Sequence, residues 1–305
     1  MKNKQTPKYC FVLLLSITLI LATILISYMA YRSDHQKTEA KLKVVTSFVP
    51  MYTIALNLLD GVDQVSVTNL SAPKTGCLHD YEPTPADLKT LSGSDIFIVN
   101  GGGMEIFLDK AAKENPKLTI VDSSKGVQKP LEENAHYWLS VSEYQNQMTE
   151  VKSKLKKEMK ARGIDTRLLE KNYSSYCSKL SKLKKEESEL SSNMATGGKN
   201  AVLLQESFAY LARDLGVTVK GVTDLDEERQ VSAKEVAGMI KVLHKGEMVW
   251  ADPVYGQKMQ KTLVGQTGAV PVTIDPVTVC ETVDKDTYIE RMGQNFSTIR
   301  KAGGM

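Results

Sequence analysis

From Asp165 to Ser192 the chain runs for 28 residues without a glycine or a proline. Leu169, Tyr173, Tyr176, Leu180, Leu183 and Leu190 recur within it at spacings of three, four and seven, with charged and small polar residues between them. That spacing predicts one amphipathic helix about 42 Å long. A strut of this length divides the chain, and the rest has to be built onto its two ends. Each half supplies four short β-rich runs. In the first half they are Leu42–Ser47, Gln64–Leu70, Asp95–Asn100 and Leu118–Asp122; in the second, Asn200–Gln205, Val217–Val222, Glu247–Asp252 and Val270–Asp275. Ile96-Phe97-Ile98-Val99 is apolar throughout, as expected of a strand covered on both faces.

Helices fit between these runs. Thr84-Pro85-Ala86-Asp87 offers an N-cap, a proline at the first helical position and an acid in the first turn. Ser232-Ala233-Lys234-Glu235 has the spacing of a capping box. Strand and helix in alternation predict an α/β fold of two parallel-sheet lobes bridged by one long rigid helix. The expected boundaries are an N-terminal lobe over 39–162, the bridging helix over 163–193 and a C-terminal lobe over 194–305. Gly197-Gly198 lets the chain turn into the second lobe.

Residues 1–38 read as a membrane anchor, or a signal segment, followed by a linker. Tyr9–Tyr31 is 23 residues without a charge, about 34 Å as a helix against a hydrocarbon core of about 30 Å. Three lysines precede it and Arg32 follows, which keeps the N-terminus in the cytoplasm and puts the body on the extracytoplasmic side of the cell membrane. Tyr28-Met29-Ala30 is a poor cleavage site, and Cys10 precedes the apolar run, so an uncleaved anchor is expected.

The formal net charge of +3 resides in this segment. Lys2, Lys4, Lys8 and Arg32 oppose Asp34, leaving 35 basic and 35 acidic residues in the remainder. A neutral body has no global electrostatic reason to bind nucleic acid. Four cysteines are too few for a disulfide scaffold, and no CxxC pair occurs. Cys77 reads as a loop thiol. Gly101-Gly102-Gly103 lacks the spacing of a phosphate loop and reads as a tight turn near the cleft.

In open α/β sheets, ligands bind outside the carboxyl ends of the strands. Metal-capable residues gather there. His79 follows the second expected strand and His136 the fourth, Gln205 and Glu206 end the fifth, Asp252 ends the seventh and Asp275 the eighth. Two imidazoles with one or two carboxylates suit zinc, manganese or iron. His35 and His244 read as surface residues. No HExxH-like pattern suggests a metallohydrolase, and the chain is not read as an enzyme.

At these residues the chain resembles the metal-binding receptors of zinc and manganese ABC importers, the cluster A-I substrate-binding proteins. The resemblance runs over about residues 40–298. It is carried by Val44-Val45-Thr46-Ser47-Phe48-Val49-Pro50-Met51-Tyr52, His79-Asp80-Tyr81-Glu82-Pro83-Thr84-Pro85, His136-Tyr137-Trp138-Leu139, Phe208-Ala209-Tyr210-Leu211 and Ile274-Asp275-Pro276. It implies two lobes with metal between them, and His79, His136 and Asp275 as ligands. It implies Zn2+ or Mn2+ as the transported ligand, and as partners an importer permease with its cytoplasmic ATPase; with the apolar N-terminal segment, a membrane-tethered monomer is expected.

Two departures bear on that implication. The third ligand of the family, usually His or Glu, stands three residues before the Phe; here that position is Gln205, with Glu206 beside it. Glu206 takes the role only if the strand end rotates, since neighbouring side chains on a strand point to opposite faces. The histidine-rich loop common in zinc importers is absent, as no histidine lies between Lys110 and Ala135. Asp252 reads as a supporting or capping residue. The alternative function is a surface adhesin or sensor on the same fold, with weakened or lost metal binding.

Overall fold

A computed structural model of the chain describes residues 15–27, 40–71, 78, 81–107, 113, 115–196, 199–223 and 231–304. Cys77 and His79 lie outside the described residues. The chain divides into two compact units, Met1–Ala40 and Lys41–Met305. In the first, residues 15–27 are helical and their side chains exposed. Among the described residues no helix is long and apolar enough to cross a membrane. The 13 described helical residues span about 20 Å, and both flanks of the expected Tyr9–Tyr31 anchor lie outside the described residues.

The second unit holds two four-stranded sheets, every strand pair parallel. Strands β1 (Leu42–Thr46), β2 (Val65–Asn69), β3 (Ile96–Val99) and β4 (Thr119–Asp122) form the first, in the order β2-β1-β3-β4. Strands β5 (Asn200–Leu203), β6 (Thr218–Val222), β7 (Met248–Ala251) and β8 (Val270–Thr273) form the second, in the order β6-β5-β7-β8. The two orders are the same. In each, the chain leaves the first strand to one side and returns on the other, which opens a crevice at the carboxyl ends of β1 and β3, and of β5 and β7.

Burial on both faces explains the continuous apolar runs. Val44, Ile96 and Ile98 face one core, while Val45, Phe97 and Val99 face a second. In the other sheet Ala201, Leu203, Met248 and Trp250 join the first of these cores, and Val202, Leu204, Val249 and Ala251 a third. The shared core is therefore continuous between the sheets, and side chains alternate with period two.

Eight helices are described in this unit: α1 (Val49–Leu58), α2 (Pro85–Ser92), α3 (Val141–Ala161), α4 (Arg167–Thr196), α5 (Ala209–Asp214), α6 (Ala233–Val242), α7 (Gln257–Thr267) and α8 (Thr287–Ala302). The capping boxes at Thr84 with Asp87 and at Ser232 with Glu235 both form, starting α2 and α6. The long helix α4 has 30 residues, starting at Arg167 and ending at Thr196. It packs against α1, which links β1 to β2, against α3, which follows the first sheet, and against α8, which follows the second.

The structure differs from the sequence reading in two respects. A second long helix, α3, runs for 21 residues where the sequence reading places none; it buries Val141, Tyr144, Met148, Val151, Leu155 and Met159. Most strands also stop short of their expected ends. Gln205, Asp252 and Asp275 therefore stand one or two residues past their strands, where backbone direction is no longer fixed by the ladder.

Candidate metal centre

His136 sits on the loop between β4 and α3, and only 5% of its surface is exposed. Its orientation follows from Asn134. The His136 backbone N–H donates to Asn134 Oδ1 at 3.0 Å, which identifies that atom as the amide oxygen. The imidazole Nδ1 lies 3.0 Å from the same oxygen. An amide oxygen only accepts, so Nδ1 carries a proton and Nε2 is the ring nitrogen at which a cation would have to bind. Asn134 Nδ2 in turn donates to the Glu206 carbonyl at 2.9 Å.

The loop that carries His136 is bound to the second sheet's half of the molecule. Tyr210 Oη donates to the Asn134 carbonyl at 2.9 Å and accepts from the Leu131 N–H at 2.8 Å. Trp138 Nε1 donates to the Pro276 carbonyl at 2.8 Å. Burial pushes the Tyr210 hydroxyl up to about 12, so it stays protonated and keeps donating at neutral pH.

Glu206 is brought to His136 by a local turn. After β5, Gln205 is extended and a single 3-10 turn runs from Glu206 to Phe208. Strand alternation ends there, and the Glu206 carboxylate lies 4.0 Å from His136 Nδ1. Gln205 is engaged elsewhere: its Oε1 accepts the Asp252 backbone N–H at 2.9 Å, so the amide braces the β5 end against the β7 end. Of these two neighbours it is Glu206 whose carboxylate approaches His136.

Asp252 is 6% exposed, and its Oδ1 accepts the backbone N–H groups of Val254 at 2.6 Å and Tyr255 at 2.9 Å. Burial raises its carboxyl above the ordinary range despite those bonds, and the nearby negative charge of Asp275 adds to the rise. It shapes the turn that precedes α7, whose N-cap is Gly256.

Asp275 lies in a tightly held loop. Its Oδ1 accepts the Val277 N–H at 2.7 Å, and Val277 takes φ 61°, a conformation that β-branched residues rarely adopt. Asn295 of α8 clamps the Asp275 backbone, accepting from its N–H and donating to its carbonyl, both at 2.8 Å. The other carboxylate oxygen, Oδ2, is ion-paired with Arg291 of α8.

The structure thus brings together His136 and Glu206 in one place and Asp252 and Asp275 in another. Among the described residues no three His, Cys, Asp or Glu side chains form a metal-binding group; His79, the remaining expected ligand, lies outside them. Sequence reasoning missed Asn134, which orients the histidine, and Arg291, which occupies the aspartate. Asn134 stands only two residues before His136. Arg291 stands 16 residues after Asp275 and gives no local signal.

The sequence profile of the family described as "ZnuA: Zinc-uptake complex component A periplasmic" matches residues 44–302. The high-affinity zinc uptake system protein ZnuA of Bacillus subtilis is 24% identical over 285 residues, covering 85% of this chain and 87% of that protein. The manganese-binding lipoprotein MntA of Halalkalibacterium halodurans is 23% identical over 267 residues, covering 84% and 87%. Among solved structures, the substrate-binding protein FpvC of Pseudomonas aeruginosa, in complex with Ni2+, superposes with a TM-score of 0.74 at 19% identity, covering 86% of this chain and 97% of that one. This likeness bears out the α/β architecture of two parallel sheets and a long helix.

Proposed function

Since this chain belongs to the periplasmic zinc-uptake complex component A family, we propose that its body captures a divalent transition metal, Zn2+ or Mn2+, and delivers it to an ABC importer. The observation that carries this reading is the imidazole of His136, fixed through Nδ1 by Asn134 so that Nε2 is the nitrogen that would take a cation, on a loop bonded to the other sheet's half of the molecule through Tyr210 and Trp138, with Glu206 of that half 4.0 Å from Nδ1. A cation held by both halves is enclosed rather than presented for chemistry, which fits a receptor and not an enzyme. In this reading His79, His136, Glu206 and Asp275 are the ligands, while Gln205 and Asp252 hold the loops behind them. The zinc and manganese carried by the relatives' names agree with a donor set of imidazole and carboxylate.

The partners in this reading are a permease and its cytoplasmic ATPase, served by a monomeric receptor. Residues 39–162 and 194–305 act as lobes, with 163–193 bridging them, and Tyr9–Tyr31 tethers the body to the outer face of the membrane. A tether raises the receptor's effective concentration at its permease. One observation favours the adhesin or sensor reading as the alternative: the Asp275 carboxylate is already occupied by Arg291.

The test is titration calorimetry of the full-length chain in detergent with ZnCl2 and MnCl2. One bound metal per chain, lost in His136→Ala and in His79→Ala, is the expected result. Absence of binding, or binding that neither substitution changes, refutes the receptor reading.

A further inference from the structure

Asp275 has both carboxylate oxygens engaged: Oδ1 by the Val277 N–H and Oδ2 by the Arg291 guanidinium. The same Arg291 nitrogen also donates to the Val279 carbonyl at 2.9 Å, so one guanidinium nitrogen ties Asp275 to Val279 across the loop. The Arg291 side chain is 27% exposed and that of Asp275 24%, so water screens the pair only in part. Asp275 keeps free lone pairs, because a carboxylate has about four acceptor sites. A cation can still bind there, but beside a fixed positive charge.

We propose that Arg291 is a resident counter-cation of Asp275 that lowers the affinity of the site for divalent metals and tilts its selectivity away from manganese towards zinc. This rests on the reading of Asp275 as a ligand. In that reading the ligand charge comes from the carboxylates of Glu206 and Asp275 and would neutralise a divalent ion. Arg291 leaves that balance one positive charge in excess. Mn2+ prefers carboxylate and other oxygen donors, whereas Zn2+ is well served by imidazole. A weakened carboxylate therefore costs Mn2+ more than Zn2+.

The experiment is calorimetric titration of full-length Arg291→Met, Arg291→Gln and Arg291→Lys in detergent, with ZnCl2 and MnCl2. Melting of each metal-free protein is recorded alongside. Removing the charge should tighten Mn2+ binding by roughly ten- to a hundredfold, the effect of one nearby unit charge on a carboxylate, and Zn2+ binding by a smaller factor. Arg291→Lys retains the charge and should keep the low affinity. The metal-free Met variant should melt below the wild type, and its gain on adding metal should be larger. Should Arg291→Met not fold, the Gln and Lys pair carries the same comparison.

Unchanged or weaker binding of both metals by the neutral variants, with His136→Ala still abolishing wild-type binding, overturns this inference and leaves the receptor reading standing. A wild type that binds no metal beside a neutral variant that does supports the inference and refutes the receptor reading. If neither binds, both fail.

Discussion

The two sheets have the same strand order, yet the loops at their carboxyl ends are finished differently. After β4, Asp122 accepts from the Ser124 N–H at 3.0 Å and from the Ser124 hydroxyl, and so serves that turn. After β8, Asp275 makes the same two-residue turn with Val277 but also receives Arg291 from α8. After β3, Glu105 reaches back to the Asn100 and Gly101 N–H groups at 2.8 and 3.0 Å; after β7, Asp252 does the equivalent work for Val254 and Tyr255. In the first half the acids complete the scaffold, and the group offered to a cation is the His136 imidazole on a braced loop. In the second half the acids Asp252 and Asp275 hold their own turns as well, and Asp275 in addition carries the ion pair with Arg291. The charge of the site is therefore concentrated in one half, and that half carries its own compensation.

The largest effect expected from this asymmetry is on metal affinity. If the first half contributes an oriented imidazole, removing the group that orients it should cost nearly as much as damaging a ligand. Asn134→Leu leaves Nδ1 without its acceptor, and metal affinity should fall by about ten- to a hundredfold. Gln205→Leu removes a brace behind the second half and should cost less than tenfold. Calorimetry on both variants decides it; a larger loss at Gln205 would put that amide on the metal and reverse the assignment of the two neighbours.

Next in size is the joint between the halves. Trp138 is fully buried and donates to Pro276, beside Asp275. Trp138→Ala should destabilise the body by about 3–5 kcal/mol. Trp138→Phe keeps most of the packing and loses the hydrogen bond, and should cost about 1 kcal/mol. Chemical denaturation of the two variants separates packing from the bond; equal losses would mean that the contact to the Asp275 loop carries the whole effect.

How much of this is legible in the sequence depends on the range of the interaction. The apolar runs of β3 and β7 and the heptad-like spacing of α4 are local, and they name their elements. The stripe of α3 is also present, with Val141, Tyr144, Met148, Val151, Leu155 and Met159 at spacings of three and four, but lysines and glutamates surround it and the expectation of a single strut leaves it out. The motif residues His136 and Asp275 are identified by resemblance and by their places after strands. Their partners are not. Glu206 comes near His136 because a 3-10 turn ends the strand alternation, and Arg291 reaches Asp275 from a helix 16 residues away. Both are facts of packing rather than of spacing.

A smaller contrast lies in two glycines at matching turns. Gly101 follows β3 with φ 80°, and an added Cβ would stand 1.8 Å from Asp122 Oδ1, a turn-forming atom that is itself hydrogen-bonded. Gly256 precedes α7 with φ 83°, where the Cβ would stand 3.3 Å from Gln205 Nε2. Both substitutions strain the backbone, by roughly 1–3 kcal/mol. Gly101→Ala should cost more, because it also displaces Asp122. Equal melting temperatures for the two alanine variants would show that the close approach to Asp122 adds nothing to the cost of the backbone conformation.

The smallest effect is a change of slope, and it tests whether the acids of the first half belong to the scaffold. Glu105 is 4% exposed, and burial raises its carboxyl above the ordinary value although two backbone N–H groups favour the ionised form. A group whose folded value is raised binds its proton more tightly in the native state. Its contribution to stability is complete below the unfolded value of about 4.3 and is lost as pH rises through the folded value. Glu105→Gln carries no titrating proton, so the difference in melting temperature between variant and wild type should move in the variant's favour across that window. The N–H groups of Asn100 and Gly101 still meet an acceptor in the amide of this variant, though only one oxygen remains to serve both, which sets a constant offset rather than a slope. Melting curves collected from pH 4 to 8 without metal separate the two contributions. Parallel curves would mean that the carboxylate ionises in the folded protein as it does in the unfolded one, and that burial does not hold its proton.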